Sequence, residues 1–467
     1  MVIKERVLIL SLRLTAPILP ETKKSVSIVL IGNFLDFFDL MLATHLTVVL
    51  TKIFIGEETS SKTLLTAFTF CSAFCIRPIA ALFWGYIGDT IGRVPVLIAT
   101  TFLMSISCVL IPNIPSYAEW GVTSSILFLF MRLVQGFASG GECIAADVFI
   151  TETVAKPKVY FCSALVEATC SLGGLAACGI GALCLVMSPE NGWKVAFYIG
   201  SGVAVIGTIA RKTLKETPEF IKSLEKWNHK KNNRNASDLY KVITYKNRNI
   251  PALFAMYLFP AVCFYFSLAY IPSVLIEQFG LTSARVMTQT TVLLFITMCA
   301  EITYGFLGLK YHPFKIVRVK LITLLCLMPL VILFVGNTKS VTTLTVIQLL
   351  VIVLGQGLTP ATPIINKSFP VFGRYTYLLI IWAVSHSMIY IFTAVVCENI
   401  SSFNGLCFLM FFAALISLVG LYSFIPYYKT QEQIKENINQ NFSDTDSDPL
   451  EIQKKEKYIK EWLKNIV

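Results

Sequence analysis

The sequence predicts an all-α membrane protein of twelve transmembrane helices, arranged as two pseudo-symmetric bundles of six. Three observations support this fold class: the apolar composition, the number and length of the apolar runs, and the distribution of positive charge between them. Hydrophobic residues make up 55% of the 467 residues and charged residues only 14%, whereas soluble domains are about a quarter charged. Together with the mean hydropathy of +0.68, this composition excludes an ordinary soluble protein.

Twelve apolar runs follow one another along the chain, and each is close to the roughly 20 residues that a helix needs to cross a bilayer. The runs lie at about 26–51, 62–87, 94–112, 124–151, 159–187, 193–210, 251–276, 286–309, 316–336, 341–366, 375–397 and 404–426. They predict an N-terminal segment (1–25), a first six-helix bundle (26–210), a central loop (211–250), a second six-helix bundle (251–428) and a C-terminal tail (429–467).

Positive charge predicts the topology. The segment from Arg211 to Arg248 contains 11 Lys+Arg against 4 Asp+Glu, whereas loops such as 112–123 and 188–192 contain no Lys or Arg. By the positive-inside rule, the central loop and both termini are expected in the cytoplasm. The tail is expected to be irregular and acidic over Asn437–Pro449. Residues 450–466 are interpreted either as an amphipathic helix that binds a membrane surface or a protein partner, or as a frayed, solvated tail.

The two halves carry related motifs. Gly85-x-x-Gly88 in the second run recurs as Gly305-x-x-Gly308 in the eighth, and Gln135-Gly136 in the fourth recurs as Gln356-Gly357 in the tenth. Both pairs are separated by about 220 residues, as expected of two repeated six-helix units. The 13 cysteines lack the spacing of a metal site, so they are interpreted as small buried hydrophobic residues, and no metal is expected.

The segment from Trp84 to Val94 is a short polar turn between the second and third runs. Asp89 and Arg93 place one charge of each sign at the membrane edge, where each can contact a helix end or a partner. Close helix approach and a sharp turn are made possible here by three glycines: Gly85, Gly88 and Gly92.

Ionisable residues inside the predicted spans are candidates for a transport pathway, because a charge at the bilayer centre costs about 2.5–3.5 kcal/mol on insertion scales. Asp36 and Asp39 lie at i and i+3 in the first run, where like charges favour a proton on one carboxyl group. The alternative is a carboxylate that is fixed by a permanent arginine partner.

The fourth run carries a polar stripe along one helix face: Arg132, Gln135, Ser139 and Glu142. Arg132 is expected either to bind a substrate carboxylate or to neutralise Asp36 or Asp39, and Glu142 is a second candidate proton carrier.

Three further charges lie in apolar runs: Arg77 in the second, Glu167 in the fifth and Glu301 in the eighth. Arg77 and Glu167 are included in the candidate pathway, whereas for Glu301 a structural ion pair is the favoured interpretation. In the second half, aromatic side chains could surround a cationic group: Tyr257, Tyr265, Trp382 and Tyr390.

Several of these segments resemble motifs of a known family. The segment from Gly85 to Arg93 is similar to the Gly-x-x-x-Asp-x-x-Gly-Arg loop of the major facilitator superfamily. Within this superfamily, the chain resembles the metabolite:proton symporter family and, within that family, the bacterial proline/betaine transporters. Five segments are similar to motifs of this family: Gly32-Asn33 with Asp36-Phe37-Phe38-Asp39; Ile76-Arg77-Pro78; Gln135-Gly136-Phe137-Ala138-Ser139-Gly140-Gly141-Glu142; Gly192-Trp193 followed by Glu216-Thr217-Pro218-Glu219-Phe220; and the turn from Phe369-Pro370 to Arg374-Tyr375.

The resemblance implies two bundles with alternating access, no covalent chemistry and no cofactor, with a proton gradient as the driving force. It implies that Asp36, Asp39, Arg132 and Glu142 serve the substrate and proton path, and that the Gly85–Arg93 loop latches the two halves on the cytoplasmic side. It also implies a location in the bacterial inner membrane. The chain departs from the family pattern at Thr90 and Val94, and the second-half copy of the loop is lost.

The resulting hypothesis is proton symport of a small polar metabolite or osmolyte such as proline or glycine betaine. The expected partners are a small-molecule substrate, protons and the bilayer, without nucleic acid, and the tail is expected to offer a site for a protein partner. Two alternatives stay open: a carrier of citrate- or 2-oxoglutarate-type carboxylates, and a transport-inactive receptor or scaffold. An enzyme is not expected, because neither a Gly-x-x-x-x-Gly-Lys-Ser/Thr nor a His-Glu-x-x-His motif occurs.

Overall fold

The computed structural model describes residues 20–55, 73–142, 144–231, 250–335, 340–355, 357–399 and 403–441, and these residues are almost entirely helical. In the first half the helices are α1 Pro20–His45, α2 Thr47–Ile55, α3 Arg77–Thr90, α4 Arg93–Leu110, α5 Tyr117–Trp120, α6 Val122–Glu142, α7 Ala145–Thr153, α8 Lys158–Met187 and α9 Gly192–Arg211. In the second half they are α10 Pro218–Lys231, α11 Ile250–Tyr265, α12 Ile271–Glu277, α13 Ser283–Lys310, α14 Pro313–Val335, α15 Val341–Gly355, α16 Thr362–Asn366, α17 Val371–Asn399 and α18 Phe403–Asn441.

The predicted spans correspond to these helices. Within the described ranges, nine helical segments are long and apolar enough to cross a membrane, and the shorter apolar helix α15 lies at the tenth predicted span. The described part of the second span is α3, and α14 lies at the ninth. The helical content and the order of the elements confirm the predicted all-α membrane fold. The N-terminal segment 1–19, the residues 232–249 of the central loop, Gln356 and the tail from 442 onward lie outside the described residues.

One span that the sequence predicts as continuous is broken in the structure. The tenth span consists of α15, which ends at Gly355, and the short helix α16 from Thr362, and Gly357 between them has φ of +67°. Hydrophobicity alone does not reveal such a break. Irregular backbone at membrane depth is tolerated only where protein or a cavity solvates it, and Gly357 and Leu358 line the cavity described below.

Two other boundaries differ from the prediction. Arg211, which is the first residue of the predicted central loop, is the last residue of α9 and is only 1% exposed. The last helix continues to Asn441, so the prediction of irregular structure from Asn437 is wrong for its first five residues, 437–441.

The halves meet along two helix pairs, α3 with α17 and α8 with α13. The repeated glycines lie at these contacts. A Cβ atom on Gly85 would come within 2.8 Å of the Thr376 backbone, and one on Gly305 would come within 2.7 Å of the Ala164 side chain. The motif shared by the two halves therefore allows close approach of the bundles at both places.

Large apolar side chains cover the outer surface, as expected of a face in contact with lipid. Large apolar residues that are more than half exposed include Leu82, Tyr86, Ile206, Phe306 and Val319.

The ion pair predicted for Glu301 is present in the structure, because its Oε1 lies 3.9 Å from the Nζ of buried Lys320.

Candidate functional site

A cavity of about 130 Å³ lies between the two halves. For scale, an apolar cavity of roughly 150 Å³ accommodates a benzene-sized molecule. Side chains of α1, α3, α6, α7 and α8 line it from the first half, and side chains of α11 and α17 line it from the second. Its size and position are those of a binding site for one small solute.

Arg211 joins two carboxylates on one side of this cavity. Its Nη2 lies 3.1 Å from Oδ2 of Asp36, and its Nη1 lies 2.6 Å from Oε1 of Glu142. The hydroxyl of Thr101 donates to the same oxygen of Glu142 over 2.8 Å, and the hydroxyl of Thr100 also donates to it. The three charged groups come from α1, α6 and α9, so the cluster ties three helices together.

The backbone of α1 makes room for this arginine. A Cβ atom on Gly32 would lie 2.2 Å from Nε of Arg211, so only glycine leaves space for the guanidinium. The neighbouring Asn33 donates to the carbonyl of Val166 over 2.9 Å and so joins α1 to α8. These contacts account for the Gly32-Asn33 pair that precedes Asp36.

Arg211 rather than Arg132 is the cation that the two carboxylates contact. The sequence pattern points to Arg132 because it lies on the same helix as Glu142, whereas Arg211 lies at the end of an apolar run and resembles an interfacial residue. A signal was nevertheless present, since buried Asp36 and Glu142 require a cation and Arg211 ends a span of the same half.

The polar stripe on α6 is divided between two environments. Ser139 and Glu142 line the cavity, whereas Arg132 and Gln135 do not. Arg132 donates from Nη1 to Oε1 of Gln135 over 2.9 Å, and both side chains are at least 96% buried. Only the C-terminal part of the stripe, Ser139 and Glu142, therefore lines the cavity.

Asp39 also lies apart from the cavity, although Asp36 lines it. Asp39 is 2% exposed, and a Cβ atom on Gly200 of α9 would lie 2.7 Å from its Oδ1. The carboxylate that shares the Arg211 guanidinium with Asp36 is that of Glu142. The expected pairing of two aspartates on one helix is therefore replaced by a pairing between helices.

Arg77 is a cation without a carboxylate partner among the described residues. Its side chain is 1% exposed and lines the cavity, and its Nε and Nη2 find no hydrogen-bond acceptor in the described part of the chain. The guanidinium lies 4.1 Å from the ring centroid of Phe74 and 5.3 Å from that of Trp382. Held by two rings, it retains donors for an anionic group.

A second pair of carboxylates lines the cavity, formed by Asp147 on α7 and Glu167 on α8. Asp147 is 6% exposed and accepts a hydrogen bond of 3.0 Å from the Ser163 hydroxyl. Glu167 belonged to the sequence prediction, but Asp147 did not, although it lies in the same predicted span as Glu142. The rule that selected Glu142, an ionisable residue within an apolar run, also applies to Asp147.

Aromatic side chains form much of the second-half wall. Tyr257, Trp382 and Tyr390 line the cavity, whereas Tyr265 does not line it and packs on Tyr390 with ring centroids 6.2 Å apart. His386 stacks on Trp382 at 4.0 Å, and its Nδ1 lies 2.9 Å from the Trp382 carbonyl oxygen.

The loop between α3 and α4 closes one end of the interface between the halves, which we call the loop end. Asp89 accepts hydrogen bonds from the backbone N–H groups of Tyr375 (3.3 Å) and Thr376 (2.9 Å) and from the Thr376 hydroxyl (2.7 Å). The backbone of α17 leaves helical geometry at Phe372 and Gly373, so Asp89 binds the free N–H groups of the helical turn that follows. A residue of one half thus caps a helix of the other.

Arg93 extends this contact. It donates to the carbonyl of Val371 over 2.9 Å and to Oε1 of Glu152 over 3.1 Å, and the same Glu152 oxygen accepts from Nη1 of Arg374 over 2.9 Å. Glu152 is therefore shared by an arginine from each half. It was missed in the sequence because a glutamate at the end of a span resembles an ordinary interfacial residue.

The segment after α9 covers the same contact. Oε2 of Glu216 accepts from the backbone N–H of Val94 over 3.1 Å, Thr217 donates to Oε2 of Glu152 over 2.6 Å, and Glu219 lies 3.1 Å from Nη2 of Arg374. We call the group Asp89, Arg93, Glu152, Thr217, Glu219 and Arg374 the latch.

A model of the Major Facilitator Superfamily matches residues 29–376. The chain belongs to this superfamily. Proline/betaine transporters are similar in sequence: that of Salmonella typhimurium is 30% identical over 265 residues, which are 55% of this chain and 53% of the relative. That of Escherichia coli strain K12 is 31% identical over 212 residues, 44% of this chain and 42% of the relative. The chain thus spans about half the length of these curated relatives.

Solved structures support the same fold. The proton:xylose symporter XylE bound to 6-bromo-6-deoxy-D-glucose has a TM-score of 0.72 at 13% identity and covers 87% of this chain and 96% of its own. FucP in the outward conformation has a TM-score of 0.62 at 14% identity and covers 85% and 97%. The predicted fold and the resemblance to proline/betaine transporters are confirmed. The relatives named here are transporters, in agreement with the prediction of a transporter rather than an enzyme.

Proposed function

We propose that this protein carries a small zwitterionic osmolyte, such as proline or glycine betaine, together with protons across the bacterial inner membrane. The observation that carries the proposal is Arg77, an unpartnered cation beside aromatic rings in a cavity that also contains carboxylates. The carboxylate of a zwitterion can bind Arg77, and its positively charged group can contact the aromatic rings and the carboxylates. The names of the sequence relatives support the same class of solute.

In the bound state, the solute carboxylate accepts hydrogen bonds from Nε and Nη2 of Arg77, the two nitrogens without a partner in the described residues. The positively charged end then faces the aromatic wall of Tyr257, Trp382 and Tyr390. Cation–π contact is worth about 0.5–2 kcal/mol per ring and needs no hydrogen-bond donor on the cation, so it accepts a quaternary ammonium group.

Proton coupling is assigned to Asp36 and Glu142. With both carboxylates ionised, the cluster with Arg211 has a net charge of −1, so one proton makes it neutral. A buried net charge resists movement through a low-dielectric interior, so a neutral cluster favours rearrangement of the bundles about the solute. One positive charge moving inward gains about 2.3 kcal/mol per 100 mV of membrane potential, which is enough to concentrate a neutral solute.

The proposed orientation places both termini, the central loop and the latch in the cytoplasm, in keeping with the excess of basic residues there. With the latch formed, the halves are joined at the cytoplasmic end. The driving force is the proton gradient, without a cofactor.

A protein partner for the C-terminal tail is a separate part of the proposal. Deletion of residues 442–467, followed by uptake and pull-down measurements, tests it.

A carrier of citrate or 2-oxoglutarate is the second candidate, and the charges of the cavity disfavour it. Two or three solute carboxylates need several cations, but among the described lining residues Arg77 is the single Lys or Arg side chain, beside four carboxylates. An excess of acidic groups repels a polyanion.

The test is uptake of labelled glycine betaine and proline by proteoliposomes with an imposed inward proton gradient. We expect accumulation that disappears when a protonophore removes the gradient. Uptake that is indifferent to the gradient contradicts proton coupling, and uptake of citrate in place of the zwitterions contradicts the substrate class.

The Arg77 assignment has its own test. Arg77→Gln removes a charge-assisted contact worth about 1.5–3 kcal/mol, so betaine affinity should fall about 10- to 150-fold in calorimetric titration. Arg285→Gln, a change of the same type at an exposed residue, should leave the affinity unchanged. Equal affinities of the Arg77→Gln variant and the wild type would contradict the carboxylate contact.

A further inference from the structure

Asp147 and Glu167 form a second acidic pair in the cavity, distinct from the pair that Arg211 holds. Within the described ranges, no Lys or Arg nitrogen lies within 4 Å of either carboxylate, and the hydrogen bond that Asp147 accepts comes from the neutral Ser163 hydroxyl. By contrast, Asp36 and Glu142 both contact a guanidinium. The first half therefore contains one acidic pair that contacts an arginine and one that has no Lys or Arg within 4 Å in the described part of the chain.

The second half contributes a hydrogen-bond donor to the cavity wall, the hydroxyl of Tyr257. Tyr257 on α11 is 6% exposed and lines the cavity, and its hydroxyl has no hydrogen-bond partner in the described part of the chain. A buried hydroxyl left without a partner costs about 1–3 kcal/mol, so we expect this group to donate to an acceptor of the cavity during the transport cycle.

The charges around the cavity indicate how many protons accompany the solute. Asp36, Glu142, Asp147 and Glu167 contribute four negative charges when ionised, and Arg77 and Arg211 contribute two positive charges, which leaves a net charge of −2. A zwitterionic solute does not change this sum, whichever wall its ammonium group contacts. Two protons are needed to make the occupied cavity neutral.

We infer that Asp147 and Glu167 together bind a second proton, so that each solute molecule crosses the membrane with two protons. This inference rests on the proposed symport. One proton resides on the Asp36–Glu142 pair and the other is shared by the Asp147–Glu167 pair, with the Tyr257 hydroxyl donating to the pair from the opposite half. Both protons bind on one side of the membrane and leave on the other.

The remaining charged and titratable groups around this pair do not supply the missing positive charge. Lys320 of α14 acts on Glu167, but it lies at 3.9 Å from Glu301 of α13, and these two charges sum to zero. His386 of α17 stacks on Trp382, and its Nδ1 lies 2.9 Å from the Trp382 carbonyl oxygen. The Cys170 thiol of α8 lines the cavity and accepts a hydrogen bond from the Asn33 amide.

The number of charges moved per solute is measured as a reversal potential in proteoliposomes with equal pH on both sides. Since a charge gains about 2.3 kcal/mol per 100 mV and a tenfold gradient is worth about 1.4 kcal/mol, one charge balances a tenfold betaine gradient at about 60 mV. Two charges balance it at about 30 mV. We expect about 30 mV for the wild type and about 60 mV for Asp147→Asn and Glu167→Gln.

The matched control is Glu190→Gln, which removes an exposed carboxylate outside the cavity and should keep the value near the wild-type 30 mV. A wild-type value near 60 mV overturns the second proton while leaving the symport intact. A wild-type protein that transports neither betaine nor proline overturns the proposed function instead.

A second measurement needs no solute and still applies if the variants do not transport. Infrared spectroscopy of the purified protein at neutral pH detects protonated carboxyl groups by a C=O band that shifts in D₂O. We expect Asp147→Asn and Glu167→Gln each to remove the same component of this band, and Glu190→Gln to retain it. A band that is identical in the wild type and both cavity variants overturns the inference.

Discussion

Arg211 holds two carboxylates that would otherwise oppose folding of the first bundle. It is 1% exposed, and its guanidinium contacts Asp36 on α1 and Glu142 on α6. Removing one partner of a buried ion pair typically costs about 3–5 kcal/mol, because the remaining charge has no compensation. Exchanging Arg211, Asp36 and Glu142 together for neutral residues costs much less, because no buried charge is then left without a partner.

At this scale we predict that Arg211→Ala strongly destabilises the protein and that neutral partners restore it. The single variant should lose about 3–5 kcal/mol of unfolding free energy, measured by denaturant or thermal unfolding in detergent. The triple variant with Asp36→Asn and Glu142→Gln should recover most of this loss. A triple variant that is no more stable than Arg211→Ala would contradict the charge explanation and would indicate that the arginine acts by its volume.

A broken helix shows how a single element shapes the cavity. The tenth span stops at Gly355 and resumes at Thr362, and Gly357 and Leu358, which lie within this interruption, both line the cavity. Because an interrupted helix exposes N–H and C=O groups that lipid cannot satisfy, the break belongs where a polar cavity solvates it.

The start of α4 is the element on which we base a second prediction. Gly92 has φ of +136°, a conformation that L side chains rarely adopt, and a Cβ atom there would lie 2.2 Å from Oε2 of Glu216. Gly92→Ala should therefore cost about 1–3 kcal/mol of stability and weaken the contact of Glu216 with the N–H of Val94.

Thermal unfolding in detergent measures this cost. Gly202→Ala is the matched control, because this helical glycine has open space around its Cβ position and alanine favours a helix. Its stability should be unchanged or slightly higher. Equal unfolding temperatures for the Gly92→Ala variant and the wild type would contradict the strain argument.

The two halves are joined at the loop end by polar contacts, and glycines allow close approach of the helix pairs α3–α17 and α8–α13. The latch joins the halves through Asp89, which binds the N-terminal turn of α17, and through Glu152, which is shared by Arg93 and Arg374. Contacts of this kind separate without breaking the core of either bundle. They are therefore suited to a state that must open during a cycle of alternating access.

At this scale we predict that Asp89→Ala shifts the population toward the state that is open at the loop end. The N–H groups of Tyr375 and Thr376 lose their acceptor, so the peptide covering 371–378 should exchange deuterium faster. Hydrogen exchange with mass spectrometry measures this change. Glu119→Ala, an exposed carboxylate in the short helix α5, is the control and should leave that peptide unchanged. Unchanged exchange in the Asp89→Ala variant would contradict the latch.

Much of the fold and part of the candidate site follow from the sequence. The spans were predicted because hydrophobic length is a local property, and most helix bounds agree within a few residues. The site was predicted in part, since Asp36, Arg77, Ser139, Glu142 and Glu167 line the cavity. The local rule behind these predictions is that ionisable residues in apolar runs are costly and therefore functional.

The sequence by itself determined the fold class, the number of spans and several of the buried charges, because each depends on composition within a short window. The tertiary structure decided which charges meet. It brought Arg211 rather than Arg132 to Asp36 and Glu142, separated Asp39 from the cavity, and left Asp147 with Glu167. Pairing energies depend on distances of a few ångströms between helices that are far apart in the chain, and no local pattern encodes those distances.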